Sequence, residues 1–97
     1  QKGLAICALG QVNLQKKDHA TAVTNFQAAA PLLKSNDQSY ARNQYRLGYA
    51  FLNLKKLPEA RQAFTDAASV ESPYKQPALD KLKALPARAP VTRKRAS

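Results

Sequence analysis

Histidine and cysteine occur once each in this 97-residue chain, tryptophan and methionine not at all, and glycine only three times. One histidine and one cysteine cannot assemble a structural metal site, which takes about four such ligands. They also lie apart, His19 and Cys7, with no Ser-His-Asp set and no supported pair of carboxylates elsewhere; nucleophilic and acid–base catalysis need such groups in company. Gly3, Gly10 and Gly48 are too dispersed for a phosphate-cradling loop. A single cysteine excludes an intrachain disulfide scaffold. No apolar run nears the ~20 residues of a membrane-crossing helix. The chain is therefore read as non-enzymatic, with no catalytic residue, no metal and no cofactor. A chain that opens at Gln1 and has no methionine reads as part of a longer protein. Its compartment stays open, since one thiol suits cytoplasm and periplasm alike.

Acidic residues are scarce too. Six Asp and Glu face sixteen Lys and Arg, for a net charge of +10. Four of those cations (Arg88, Arg93, Lys94, Arg95) lie in residues 86–97, which hold no acid. Twelve remain against all six acids in the body, which is thus basic in its own right. Such a field favours acidic partners. The tail has two prolines, Pro86 and Pro90, and no hydrophobic period, so its composition predicts no packed structure. Electrostatic contact with nucleic acid or anionic lipid through the tail is the weaker reading: no aromatic residue interleaves the charges. A solubilising C-terminus accounts for them more simply.

What the chain does have is an internal echo. A shift of 38 residues superimposes Leu9-Gly10 on Leu47-Gly48, Leu14 on Leu52, Lys17 on Lys55, Ala22 on Ala60, Phe26 on Phe64 and Ala29-Ala30 on Ala67-Ala68. Within each copy the apolar residues recur at helical steps of three and four. Each copy breaks once, at Lys16-Lys17-Asp18 and at Lys55-Lys56-Leu57-Pro58. Asp18 is suited to cap the next helix, and Pro58 to sit in a first turn. Each copy thus predicts a helix–turn–helix with arms of about fourteen residues. Between the copies, Ser35 and Gln38 have capping-box spacing. Ser72-Pro73 is expected to end the second copy, and Pro77 to open a short helix with Leu79, Leu82 and Leu85 on one face. A partial third copy would cover the apolar side of the last hairpin.

These residues resemble the tetratricopeptide repeat. Leu47-Gly48, Phe51, Ala60, Phe64, Ala67 and the nearby Pro73 follow that family's spacing, as do Leu9-Gly10, Ala22, Phe26 and Ala29 in the first copy. The departures are Asn13 in place of an aromatic, Ile6 and Gln44 where tryptophan is commonest, Lys34 in place of the closing proline, and four extra residues near 35–38. The resemblance implies an all-α fold, a fragment of an α-solenoid. It has two antiparallel hairpins (residues 3–36 and 41–74), a capping helix (77–85) and the basic tail (86–97). In it, Gly10 and Gly48 allow close helix contact, Ala22 and Ala60 serve that contact from the facing helix, and Phe26 and Phe64 fill the space between hairpins.

The resemblance also implies a function: the first helix of each hairpin lines a groove that takes a peptide or domain of another protein. Carried onto this sequence, the groove is Gln11 and Gln15 with Leu4, Cys7 and Leu14 on the first hairpin. On the second it is Arg42, Tyr45, Arg46, Tyr49 and Asn53. Arg42 and Arg46 point to an acidic peptide. A carboxylate clamp spread over several repeats fits less well, because Ala8 stands where asparagine is expected. The bland alternative is that the arginines solvate a helix face and Tyr45 packs between repeats. A further alternative is self-association through an uncovered repeat end, giving a homo-oligomer.

Overall fold

A computed structural model describes residues 2–85. They form five α-helices: α1 (Lys2–Gln15), α2 (His19–Leu33), α3 (Asp37–Asn53), α4 (Leu57–Ala68) and α5 (Lys75–Ala84). No strand occurs among the described residues. Each helix packs on the next, and α1 also touches α3. The residue-86–97 tail lies outside the described residues.

Residue pairs fix the direction of the first two hairpins. Along α1 and α2, Gly3 lies against Leu32 and Leu33, Gly10 against Phe26, and Asn13 accepts a 2.7 Å hydrogen bond from Asn25. One number rises as the other falls, so the helices are antiparallel. In the second hairpin Gln44 reaches Asp66 and Gly48 abuts Phe64, the same arrangement.

Two glycines set how closely the helices approach. A Cβ on Gly10 would stand 2.7 Å from the Phe26 ring, and one on Gly48 would stand 2.6 Å from the Phe64 ring. Both rings are fully buried, so neither can move aside without overpacking the core. Ala22, Ala29, Ala60 and Ala67 are fully buried as well. Small residues here let large rings come close to a neighbouring backbone.

The echo extends to the turns. Among the described residues, Lys17 and Lys55 are the two non-glycine residues with positive φ, 64° and 62°. The amide of Lys17 donates to Leu14 and that of Asp18 to Asn13; 38 residues on, Lys55 donates to Leu52 and Lys56 to Phe51. Each pair of bonds closes a helix end in the Schellman pattern, with lysine in the left-handed position that glycine usually takes. Asp18 then caps α2 by accepting from the Thr21 amide at 3.3 Å, and Pro58 stands in the first turn of α4.

Four expectations need correction. The α3 cap is Asn36, which accepts from the Ser39 amide at 3.0 Å; Ser35 stays in a turn closed by the Asn36 amide on Leu33. The second copy therefore starts earlier than residue 41: α3 begins at Asp37 and runs 17 residues against 14 in α1, which absorbs the extra residues. α4 ends at Ala68, well before Ser72-Pro73, because Ser69 turns its hydroxyl and amide back onto the Asp66 carbonyl. α5 starts at Lys75, two residues before Pro77, and buries Ala78 with Leu82 and Leu85 half-buried beside the core.

Pro31 lies inside α2, where it removes the backbone bond to the Gln27 carbonyl, yet the helix continues to Leu33. Between hairpins, the fully buried Asn43 donates to the Phe26 carbonyl and to Gln44 Oε1, both at 2.9 Å. A buried amide needs such partners, and here they tie α3 to α2.

Candidate functional site

The α3 face proposed as a groove comprises Arg42, Tyr45, Arg46, Tyr49 and Asn53. The first four are half-buried and Asn53 is exposed. Asn53 spends its amide on the Tyr49 carbonyl of its own helix, at 3.0 Å. On α1, Cys7 is buried, Gln11 and Leu14 are half-buried, and Leu4 and Gln15 are exposed. Cys7 lies in the core cluster and behaves as a small apolar side chain. His19 is half-buried at the start of α2, with its Nδ1 unbonded.

The two tyrosines are less open than their spacing implies, because α5 and its leading turn lie beside them. The Tyr45 ring meets Phe64 edge-on at 5.5 Å, Tyr49 at 5.2 Å and Tyr74 at 5.9 Å between ring centres. The two hydroxyls are 3.4 Å apart. The Lys81 ammonium of α5 sits 4.7 Å from the centre of the Tyr49 ring, a favourable cation–π distance. The phenols consequently diverge. Burial, then the bond with Tyr49, pushes Tyr45 up to about 12. Hydrogen bonding from Lys81, then from Tyr45, pulls Tyr49 below the ordinary phenol value. Tyr45 thus serves the packing between α3, α4 and α5 as well as the face it was assigned to. Periodicity alone could not reveal this, since nothing local says where α5 lies.

The polar groups on this face are less fully engaged. Gln11 Oε1 on α1 and Arg42 Nε on α3 are both buried and neither has a hydrogen-bond partner among the described residues. One is an acceptor and the other a donor. The one ion pair among the described residues is Lys75 with Glu71, so neither Arg42 nor Arg46 is neutralised by a carboxylate there. The face therefore offers charge-assisted donors beside flat aromatic surface.

A separate cavity of about 290 Å³ opens between α2, α3 and α4. Leu47 and Phe51 form its floor, and Gln27, Glu59 and Asp66 stand around it. Sequence reasoning missed it because its walls come from three helices. Asp66 is already engaged there by the Gln44 and Gln62 amides, at 3.3 and 2.9 Å. Among the described residues no group of three His, Cys, Asp or Glu side chains is placed to hold a metal ion. No described helix is long and apolar enough to cross a membrane.

Comparison with protein-family models gives no match, and neither does comparison with curated proteins or with solved structures.

Proposed function

We propose that this chain is a helical-repeat module of tetratricopeptide type, that it catalyses no reaction, and that it binds an acidic segment of another protein along the α1–α3 face. Two hairpins of the same build support the repeat reading: Gly10 with Phe26 and Gly48 with Phe64, 38 residues apart, make the same contact. The observation that carries the binding reading is the half-buried pair Arg42 and Arg46 on one face of α3, with no carboxylate paired to either among the described residues. A peptide carboxylate would pair with Arg42 and Arg46 by charge-assisted bonds. Tyr49 adds amphipathic contact area of the kind that dominates binding energies.

The test is a calorimetric titration of acidic decapeptides of varied sequence into the parent chain and into the Arg42→Ala/Arg46→Ala double variant. The best-binding peptide should lose about tenfold to a hundredfold in affinity in the variant, since charged hydrogen bonds contribute roughly 1.5–3 kcal/mol each and part of that is screened. Equal affinity for parent and variant would remove the arginines from the site.

A further inference from the structure

The cavity between α2, α3 and α4 differs in charge from the rest of the molecule. The chain carries sixteen Lys and Arg against six Asp and Glu. Among the described residues, however, the cavity wall includes Glu59 and Asp66 and no Lys or Arg. No ion pair among the described residues engages either carboxylate. Beside them lies an apolar floor, Leu47 and Phe51, 5% and 7% exposed. Asp66 is held in place: Gln44 Nε2 donates to one of its oxygens at 3.3 Å and Gln62 Nε2 to the other at 2.9 Å. Gln44 is itself buried and fixed, since its Oε1 accepts from the buried Asn43. Each carboxylate oxygen has two acceptor positions, so both oxygens of Asp66 retain one. An apolar floor with a fixed, half-buried carboxylate at its edge suits a side chain with an apolar stem and a cationic head, which is the build of arginine and lysine.

We infer that this cavity seats a basic segment of another protein, one of whose Arg or Lys side chains enters it, lays its stem on Leu47 and Phe51 and pairs with Asp66. A volume of about 290 Å³ lies at the small end of ligand pockets, which begin at about 300 Å³; it has room for one long side chain. Glu59 precedes Asp66 by two turns of α4, about 10 Å along the axis. A second cation on the segment reaches it, because residues three apart in a polyproline-type backbone share a side and stand about 9 Å apart. The segment therefore carries two basic residues at that spacing and runs along α4. The site is separate from the acidic-peptide face. Gln44, Leu47 and Phe51 lie on one side of α3, and Arg42, Arg46, Tyr49 and Asn53 lie on the opposite side by the helical period. The inference does not depend on what that other face binds.

Proton–nitrogen correlation NMR of the 97-residue chain tests it, with a blocked decapeptide carrying two arginines three residues apart among serines and leucines. The side-chain amide signals of Gln44 and Gln62 should shift on titration, because both amides donate to the carboxylate that the guanidinium joins. Glu59→Gln should weaken binding about two- to fivefold, as for an exposed ion pair. Asp66→Asn should weaken it about tenfold or more, as for a half-buried charge-assisted bond. Ala30→Leu keeps both carboxylates and fills the cavity from the α2 wall; it should abolish the saturable shifts while the far-ultraviolet circular dichroism spectrum stays that of the parent. The same peptide with glutamates in place of its arginines should leave the Gln44 and Gln62 signals unmoved. Absence of any shift at millimolar peptide overturns the inference. Equal binding by the parent and by Glu59→Gln/Asp66→Asn overturns it by removing the carboxylates from the contact, and undiminished binding by Ala30→Leu removes the cavity from it. Arginine amide alone binding as tightly as the peptide overturns the polypeptide reading and assigns the site to a free amine.

Discussion

At the scale of single residues, two neighbouring phenols on one helix are driven apart by different surroundings. Tyr45 resists ionisation up to about 12 because it is packed among rings. In an unfolded chain it would ionise near 10.0. Its contribution to stability is therefore complete below pH 10 and is lost as pH rises from 10 toward 12. Tyr49 behaves in the opposite sense, because the Lys81 ammonium favours its phenolate. A spectrophotometric titration near 295 nm should show Tyr49 ionising before Tyr45 and Tyr40. Lys81→Gln should return that early step to the ordinary phenol range near 10.0. An early step unchanged by that substitution would mean that Lys81 does not hold the Tyr49 hydroxyl. The same residues show a limit of sequence reading. That Tyr45 and Tyr49 share a face follows from their spacing. That Lys81 and Tyr74 come to lie beside them depends on the path of residues 69–74, which carry no periodic signal.

At the scale of helices and turns, the ends of elements are controlled by a few backbone bonds. Lysine at positions 17 and 55 holds a left-handed conformation at φ of 64° and 62°. That conformation costs an L-residue roughly 1–2 kcal/mol, partly recovered by the Schellman bonds around it. Lys17→Gly and Lys55→Gly should each raise stability by up to about 1 kcal/mol, since glycine removes the strain but adds some unfolded-chain entropy. Urea unfolding measures this, and a clear loss of stability in either variant would contradict the turn geometry. Both breaks were visible as lysine pairs next to capping residues, so the existence of four hairpin arms was legible. Their limits were less so. Ser35 and Asn36 are adjacent and chemically equal candidates for a cap, and spacing cannot choose between them. Asn36 prevails in the structure with φ −124° and ψ 100°, and α3 starts at Asp37. Likewise Pro77 looked like a helix opener, although the helix had already begun at Lys75; proline is tolerated anywhere in the first turn.

For the molecule as a whole, the packing repeats with the sequence in its interior but not on its outside. Phe26 and Phe64, Gly10 and Gly48, Ala22 and Ala60, and Ala29 and Ala67 are buried in pairs. These residues were legible because small and large apolar side chains at helical spacing have few other uses. Leu9 and Leu47 also match in sequence, yet one is exposed and the other buried. Exposure depends on whether a neighbouring helix is present, which no local pattern encodes. The cavity walled by α2, α3 and α4 went unseen for the same reason. The account rests on two hairpins closed by equivalent ring-on-glycine contacts. Denaturant unfolding of Phe26→Ala and Phe64→Ala, each compared with the parent, examines it most directly. Both should lose about 3–5 kcal/mol through the cavity left behind, a large share of the stability of so small a domain. A variant of either kind that unfolds within about 1 kcal/mol of the parent, well below the cost of emptying a buried ring site, would contradict it.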